Sequence, residues 1–314
     1  MSLPDELGAA VRGYLAARPG ASWSDLARDV GVAGLLVPEE HGGAGCGPAE
    51  LAAVAEEMGR VLSPHPFLQT AVMAVTAAAA CGAGDLLKAL AAGDVTAAVA
   101  LPGEAALRLE AGGRLSGVVP YAPAGELVLA YVDGQLVAAE PTRREPYRTM
   151  DESRPLARLT FEGAPARRLG DAGSAERVRD LGIAALAAEQ VGGAQRCLEM
   201  AVEHARTRVQ FGRPIGAFQA IKHKLADVLL LVESARSAAR AAGADGVAAA
   251  VAGSYCTEAY LVAAGENIQV HGGIGITWEH PAHRYLKRAT SDAQLFGPPE
   301  AHRARLAATV FGGP

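Results

Sequence analysis

The sequence predicts an α+β fold: an N-terminal α-helical domain (residues 1–93), a shortened middle β domain (94–170) and a C-terminal four-helix bundle (171–314). Apolar residues recur at helical spacing towards both ends of the chain, whereas the middle contains short apolar or alternating stretches. Half of the residues are hydrophobic, but only 5% are aromatic. Such a composition, rich in Ala, suits closely packed helices.

Composition excludes several classes of function. A net charge of −5 without a basic tract argues against a nucleic-acid partner. The four cysteines are scattered without metal-ligand spacing, so we expect no metal site and a reduced, cytoplasmic protein. The N-terminus lacks the pattern of a secretory signal, and the Ala-rich stretch 70–82 is too short to span a membrane.

The N-terminal part is expected to be helical up to about Gly93. Ser24 or Asp25 is the expected cap of a second helix, and Pro48 suits the first turn of a third that ends near Gly59. A final helix is expected to continue through the Ala-rich stretch to Gly93. The glycine-rich loop 41–47 is no phosphate-binding P-loop, because no Gly-Lys-Ser/Thr follows it, and we interpret it as a tight turn.

The middle part contains five candidate strands separated by Gly, Pro and Asp, which predicts a small β domain. These strands are Val95–Leu101, Arg114–Val119, Leu127–Tyr131, Gln135–Ala139 and Leu156–Phe161.

The C-terminal part contains long helical patterns joined by short links, which is typical of an antiparallel bundle. We expect a helix over about Ser174–Gln210, ended by a left-handed Gly212 and by Pro214, and a second over Ala217–Ala242. Further helices are expected over Gly246–His271, within Trp278–Asp292 and over Pro299–Phe311.

The corner between the first two of these helices carries Arg208, Gln210, Arg213 and Gln219. A guanidinium group there can bind a phosphate through two donors, and an amide can hydrogen-bond a base or a ribose. The alternative is that these arginines only lie near a helix C-terminus, where cations are favoured. Spacing alone leaves both interpretations open.

Three strings carry a resemblance to one family. Arg208, Gln210, Phe211, Gly212, Pro214, Ile215, Phe218 and Gln219 match, in order, an Arg-x-Gln-Phe-Gly-x-Pro-Ile-x-x-Phe-Gln element. Residues 266–275 (Glu-Asn-Ile-Gln-Val-His-Gly-Gly-Ile-Gly) and residues 34–43 (Gly-Leu-Leu-Val-Pro-Glu-Glu-His-Gly-Gly) supply the other two. The chain thus resembles the acyl-CoA dehydrogenase family over most of its length.

The resemblance implies FAD as the cofactor and an acyl-CoA thioester as the substrate. In this family the two C-terminal elements hold the ADP half of an FAD that lies mainly in a neighbouring subunit. The cofactor-binding residues expected on this basis are Arg208, Gln210, Phe211, Ile215, Phe218, Gln219, Gln269, Val270, Gly272 and Gly273.

The elements that the family uses for chemistry are missing. The family removes the α proton of the thioester with a Glu while the β hydrogen leaves as hydride to FAD. Without gaps, Phe296 occupies the usual position of this base, and Gly182 occupies the alternative position on the preceding long helix. The usual Arg-Asp pair reads Lys287-Arg288. We therefore expect no catalytic residue in this chain. Glu189 is the nearest substitute for the base; the alternative is that it pairs with Arg or a backbone donor between helices.

The middle domain also departs from the family pattern. The segments that cover the flavin ring, a Thr-Glu, a Gly-Ser-Asp turn and a Trp-Ile-Ser/Thr, are absent. Residues 100–104 (Ala-Leu-Pro-Gly-Glu) stand where the Thr-Glu segment is expected. Residues 119–123 (Val-Pro-Tyr-Ala-Pro) stand where the Trp-Ile-Ser/Thr segment is expected. The apolar surroundings suit a packed β core with no flavin ring against it.

Together these features resemble the degenerate short subunit of actinobacterial α2β2 steroid-CoA dehydrogenases. The resemblance implies a chain that supplies the ADP half of the FAD site to a catalytic acyl-CoA dehydrogenase subunit during β-oxidation of lipids or steroids. Two alternatives stay open: a complete homo-oligomeric dehydrogenase with a non-standard base, and a non-redox protein that binds acyl-CoA or acts as a scaffold.

Overall fold

A computed structural model describes residues 2–123 and 125–312. The helices are α1 (Leu3–Ala17), α2 (Trp23–Val30), α3 (Pro48–Arg60), α4 (Val75–Ala80), α5 (Gly84–Ala92), α6 (Ala175–Thr207), α7 (Gln219–Ala241), α8 (Gly246–His271), α9 (Ala282–Asp292) and α10 (Pro299–Phe311). The strands are β1 (Ala97–Ala100), β2 (Ala106–Glu110), β3 (Arg114–Pro123), β4 (Leu127–Val132), β5 (Gln135–Ala139), β6 (Arg143–Pro146), β7 (Leu156–Asp171), β8 (Val209–Gln210) and β9 (Arg213–Pro214).

These elements form two compact units. The first holds residues 1–54 and 64–182, and the second holds residues 55–63 and 183–314. Helices at the start of the chain and a β-sheet make up the first unit, while the second is helical apart from the β8–β9 hairpin. The finer division into three domains, with boundaries after residues 93 and 170, stays a prediction.

The cap of α2 is Ser22, two residues before the expected Ser24. The Ser22 hydroxyl accepts a hydrogen bond from the Asp25 amide, and the Asp25 carboxylate accepts from the Ser22 amide in return. This reciprocal capping box satisfies two amides that would otherwise lack partners, so the helix begins at Trp23.

The glycine-rich loop is a tight turn, as expected. The amides of Gly43, Gly45 and Cys46 donate to the carbonyl oxygens of Pro38, Val37 and Leu35. Because these amides are already used by the backbone, they cannot cradle a phosphate.

The Ala-rich stretch is not one helix. A π-helix over Phe67–Ala74 leads into α4, and a turn containing Gly82 at φ +63° separates α4 from α5. The π-helix is fully buried, and its Gln69 and Thr70 side chains accept hydrogen bonds from the amides of Val99 and Ala97 in β1. These bonds cover the edge of β1 that has no neighbouring strand.

The sheet follows the order β1-β4-β5-β7-β3-β2, with β6 paired to β7. Among the strand pairs that the described residues form in this sheet, only the β1–β4 pair is parallel. Strands β3 and β7 extend beyond the prediction, because β7 pairs in turn with β5, β3 and β6. Strands β2 and β6 were missed: β2 is only half-buried, and β6 is exposed, charged and ends in Pro, so neither has a strong apolar pattern.

The second unit is built on close contacts between backbones. A Cβ at Gly59 would overlap the Glu189 carbonyl, and a Cβ at Gly192 would overlap the Glu56 carbonyl, so α3 and α6 touch at both points. A Cβ at Gly193 would likewise overlap the Tyr260 ring of α8. The small side chains noted in the sequence therefore permit tight helix crossings.

Helix α8 lies at the centre of this unit and packs against α7, α9 and α10. With its 3-10 extension it runs from Gly246 to Ile276 and is long and apolar enough to cross a membrane. However, 61% of its apolar window is buried inside the protein, as in the core helix of a bundle.

Candidate functional site

A β-hairpin with a two-residue turn follows α6. The helix ends at Thr207 rather than at the expected Gln210, and β8 and β9 pair Val209 with Pro214. Phe211 and Gly212 form the turn with φ values of +53° and +77°. Two consecutive residues with positive φ are typical of the type I′ turn that joins short antiparallel strands. The left-handed conformation expected for Gly212 is present, but it closes a hairpin rather than a helix.

The turn of this hairpin exposes the aromatic ring of Phe211 to solvent. Phe211 is 91% exposed and meets Phe218 edge-on, with 6.1 Å between ring centroids. Arg213 lies over the other aromatic ring, 4.3 Å from the Phe218 centroid. An exposed aromatic side chain on a structured turn is typical of a binding surface.

The second predicted element, residues 266–275, contains the C-terminal end of α8. Gly272 has φ +65° and ψ −143°, a conformation that is essentially restricted to glycine, and a 3-10 turn follows. A Cβ built on Gly272 or Gly273 would meet no atom within 4 Å. Both glycines thus face open space, which leaves room for a ligand to approach the backbone.

An apolar cluster brings the two elements together. Val270 packs with Ala201 and Ala205 of α6, and Ile215 and Ile221 pack against the same cluster. Because the Val270 side chain is buried, a contribution to cofactor binding is limited to its backbone. The motifs, about sixty residues apart in the sequence, therefore form one surface.

The polar groups on this surface suit the ADP half of an FAD. Arg208, Gln210, Gln219 and Gln269 are all exposed. Arg208 is anchored by its backbone, since its amide donates to the His204 carbonyl and its carbonyl accepts from Ile215, both at 2.8 Å. Within the described residues no carboxylate pairs with its guanidinium group. A free cation beside an exposed glycine turn fits a diphosphate, and the amides fit an adenosine.

Three histidines that the sequence did not bring together lie beside this surface. The His271 ring is 4.4 Å from the His204 ring and 4.2 Å from the His280 ring, measured between centroids. The Nδ1–H group of His271 donates a hydrogen bond to the Asn267 carbonyl oxygen, 2.8 Å away. Burial and neighbouring cations lower the pKa of His204, and burial and His271 lower that of His280.

Neither expected base position carries a carboxylate. Phe296 lies in the turn between α9 and α10 with φ +58°, and Gly182 lies within α6. Glu300 is exposed and pairs with Arg303 at 3.0 Å on the same helix.

The substitute base, Glu189, is in a buried ion pair. A Glu189 carboxylate oxygen is 3.6 Å from a guanidinium nitrogen of Arg288, and both side chains are almost completely buried. Arg288 also donates to the Ser63 carbonyl at 3.2 Å. This arrangement favours the structural interpretation of Glu189, in which its carboxylate pairs with an arginine between helices.

The residues that stand where the flavin-ring segments are expected make contacts within the β-sheet region instead. Residues 119–123 form the end of β3, where the exposed Tyr121 stacks on Tyr147 with 5.6 Å between centroids. Residues 101–104 form a turn in which the Glu104 carboxylate accepts from the Leu101 amide at 3.0 Å. Among the described residues, no group of three His, Cys, Asp or Glu side chains is arranged to hold a metal ion.

Comparison with known families identifies both helical parts of the chain. The acyl-CoA dehydrogenase N-terminal domain matches residues 12–89, and the acyl-CoA dehydrogenase C-terminal domain matches residues 180–311. The acyl-CoA dehydrogenase IpdE2 of Mycobacterium tuberculosis is 41% identical, over 98% of this chain and 92% of that protein. The acyl-CoA dehydrogenase FadE34 of the same organism is 42% identical over 83% of this chain but only 38% of its own length.

Solved structures agree with these matches. The ChsE4–ChsE5 complex from Mycobacterium tuberculosis contains a chain that superposes with a TM-score of 0.88 at 26% identity, covering 100% of this chain and 99% of that one. A chain of the Tcur3481–Tcur3483 steroid acyl-CoA dehydrogenase, studied as its G363A variant, gives a TM-score of 0.84 at 28% identity, covering 99% and 97%. Both structures are complexes of two different chains.

Proposed function

The chain belongs to the acyl-CoA dehydrogenase family, and from this premise we propose that it supplies the ADP half of an FAD site to a catalytic partner subunit. Membership of the family makes the protein part of an FAD-dependent oxidoreductase that acts on CH–CH donors.

One observation carries the proposal: an exposed ADP surface coexists with the loss of the base. Arg208 and the open turn at Gly272 and Gly273 keep the features that suit a dinucleotide. Phe296 and Gly182 stand where the base is expected, and the Glu189 carboxylate is paired with Arg288. A chain with half of a cofactor site and no base needs a second chain to complete the reaction.

The relatives support the same arrangement. Two structural neighbours with more than a quarter of their residues identical come from complexes of unlike chains. The part of FadE34 that matches this chain is joined to a longer stretch of additional polypeptide. We therefore propose an α2β2 heterotetramer in the cytoplasm, with an acyl-CoA substrate that is a steroid side-chain CoA ester.

The roles of the two elements follow from their positions. Arg208 neutralises the diphosphate, Gln210 and Gln219 lie on the adenosine side, and Gly272 and Gly273 allow the backbone to approach the ADP portion. Phe211 and Phe218 supply an apolar surface beside it, Gln269 adds a polar contact, and Ile215 and Val270 hold the two elements in register. When bound, FAD would accept the hydride from the substrate, and the partner would provide the base.

Replacing one arginine tests the proposal. Arg208→Ala removes a charge-assisted hydrogen bond, so the complex with the partner should bind FAD about ten- to a hundredfold more weakly. Arg206→Ala is the matched control, because Arg206 is an exposed arginine in the last turn of α6, two residues before Arg208. The flavin absorbance of each purified complex gives the occupancy. Equal flavin content in the two variants would refute the role of Arg208.

A further inference from the structure

The histidine stack, defined as His204, His271 and His280, joins the proposed ADP surface directly. His204 lies one turn before Arg208 and accepts the Arg208 amide through its carbonyl. His271 immediately precedes Gly272, and its ring lies between the other two. The stack therefore lines the place where the diphosphate of the proposed cofactor is expected.

Hydrogen bonds fix the tautomers of two of these rings. The Nδ1 atom of His271 faces the Asn267 carbonyl, which can only accept, so His271 carries a proton on Nδ1 and leaves Nε2 as an acceptor in its neutral form. The Nδ1 atom of His280 instead accepts from the Ala282 amide at 3.2 Å, at the start of α9. A proton on that atom would oppose the amide and the positive end of the helix, so His280 stays neutral.

The charged groups near the histidine stack favour the binding of an anion once one of the histidines is protonated. Arg208, which follows α6, and His283 of α9 are cationic or can become so, and both disfavour protonation of their histidine neighbours. On α8, Glu266 is neutralised by Lys224 of α7, which contacts both carboxylate oxygens at 2.7 Å. The neighbouring carboxylates of Glu203 and Glu279 belong to exposed residues.

We infer that the stack is a proton-linked subsite for a dinucleotide diphosphate, in which one proton enters the His204–His271 pair together with the anion. Two rings 4.4 Å apart cannot both become charged without strong repulsion, so one proton is taken up rather than two. The proton would come from solvent and lie on a ring nitrogen of His204 or His271, where its positive charge would offset the charge of the anion. The inference rests on the proposed function, because it adds contacts to the same ADP surface.

Histidine NMR of the full chain with ADP-ribose tests the inference. This probe carries the ADP half of FAD, and its diphosphate is esterified at both ends, so the charge of the probe is constant near neutral pH. Saturating ADP-ribose should raise the titration midpoint of His204 or His271 by about one pH unit or more. His280 should not follow, and His302 in α10 is the internal control. Millimolar ADP-ribose that moves neither midpoint would overturn the inference.

The pH dependence of affinity separates this inference from the proposed function. Wild-type affinity for ADP-ribose should rise as pH falls, by at most about tenfold per pH unit for one linked proton. His204→Gln should reduce that slope, whereas Arg208→Ala should weaken binding by a similar factor at every pH. A response to Arg208→Ala with a flat wild-type pH profile would refute the histidine subsite alone. If affinity for ADP-ribose depended neither on pH nor on Arg208, the proposed ADP surface itself would be refuted.

Discussion

Arg288 places a guanidinium nitrogen 3.6 Å from a carboxylate oxygen of Glu189, and both side chains are almost completely buried. Removing one member of such a pair leaves an uncompensated charge in the interior. Glu189→Gln should therefore lower the free energy of unfolding by about 3–5 kcal/mol. Chemical denaturation measures this change, with the exposed Glu300→Gln as the control. In the flavin-loaded complex, turnover per flavin should be unchanged; a stable complex with turnover a hundredfold lower would instead identify Glu189 as the base.

Gly192→Ala tests the close crossing of α3 and α6. The added methyl group would overlap the Glu56 carbonyl oxygen, and the backbone there cannot move aside without disturbing two helices. The substitution should cost about 1–3 kcal/mol of unfolding free energy or more. Gly265→Ala is the matched control within a helix, because its Cβ meets no atom within 4 Å. Equal thermal stability of the two variants would contradict the crossing.

Gly273→Ala tests the approach of the cofactor to the backbone. The new methyl group meets no protein atom within 4 Å, and Gly273 is not among the residues with positive φ, so the fold should tolerate it. If the ADP portion lies against this turn, the complex should retain less flavin while its melting temperature in the absence of FAD stays the same. Full flavin retention would show that the turn does not touch the cofactor.

Stability should fall in mildly acidic solution. The pKa values of His204 and His280 lie below the ordinary 6.5 in the fold, mainly because of burial, so the unfolded chain binds more protons than the folded chain in this range. Their contribution is complete above about pH 6.5 and is lost as pH falls through the lower folded values. Melting temperatures between pH 8 and pH 5.5 should show the decline, and a His204→Gln/His280→Gln double variant should show a shallower one. Identical slopes would contradict this assignment.

The architecture could be predicted because the strongest local signals agree with it. The helices Gly246–His271 and Pro299–Phe311 and the strand Gln135–Ala139 match the expected bounds. Each has a continuous apolar pattern with Gly, Pro or Asp at its ends. The family resemblance added the order of the parts and FAD as the cofactor.

What the sequence missed depends on partners distant in the chain. The exposed strand β6 exists because it pairs with β7, and its own residues, Arg-Arg-Glu-Pro, indicate no strand. The histidine stack requires the ends of α6 and α8 to meet through Val270 and Ile215, which no local pattern reveals. The sequence suggests an arginine as a partner of Glu189, but nothing in the spacing identifies that arginine as Arg288.

The most direct test of the central claim is the visible spectrum of this protein, purified alone and then together with the acyl-CoA dehydrogenase encoded beside it. Flavin bands only in the co-purified sample are the expected result, because the proposed ADP surface lies in a chain that carries Phe296 and Gly182 at the expected base positions. Stoichiometric flavin in the protein purified alone, with turnover of an acyl-CoA, would contradict the account and identify a complete homo-oligomeric dehydrogenase.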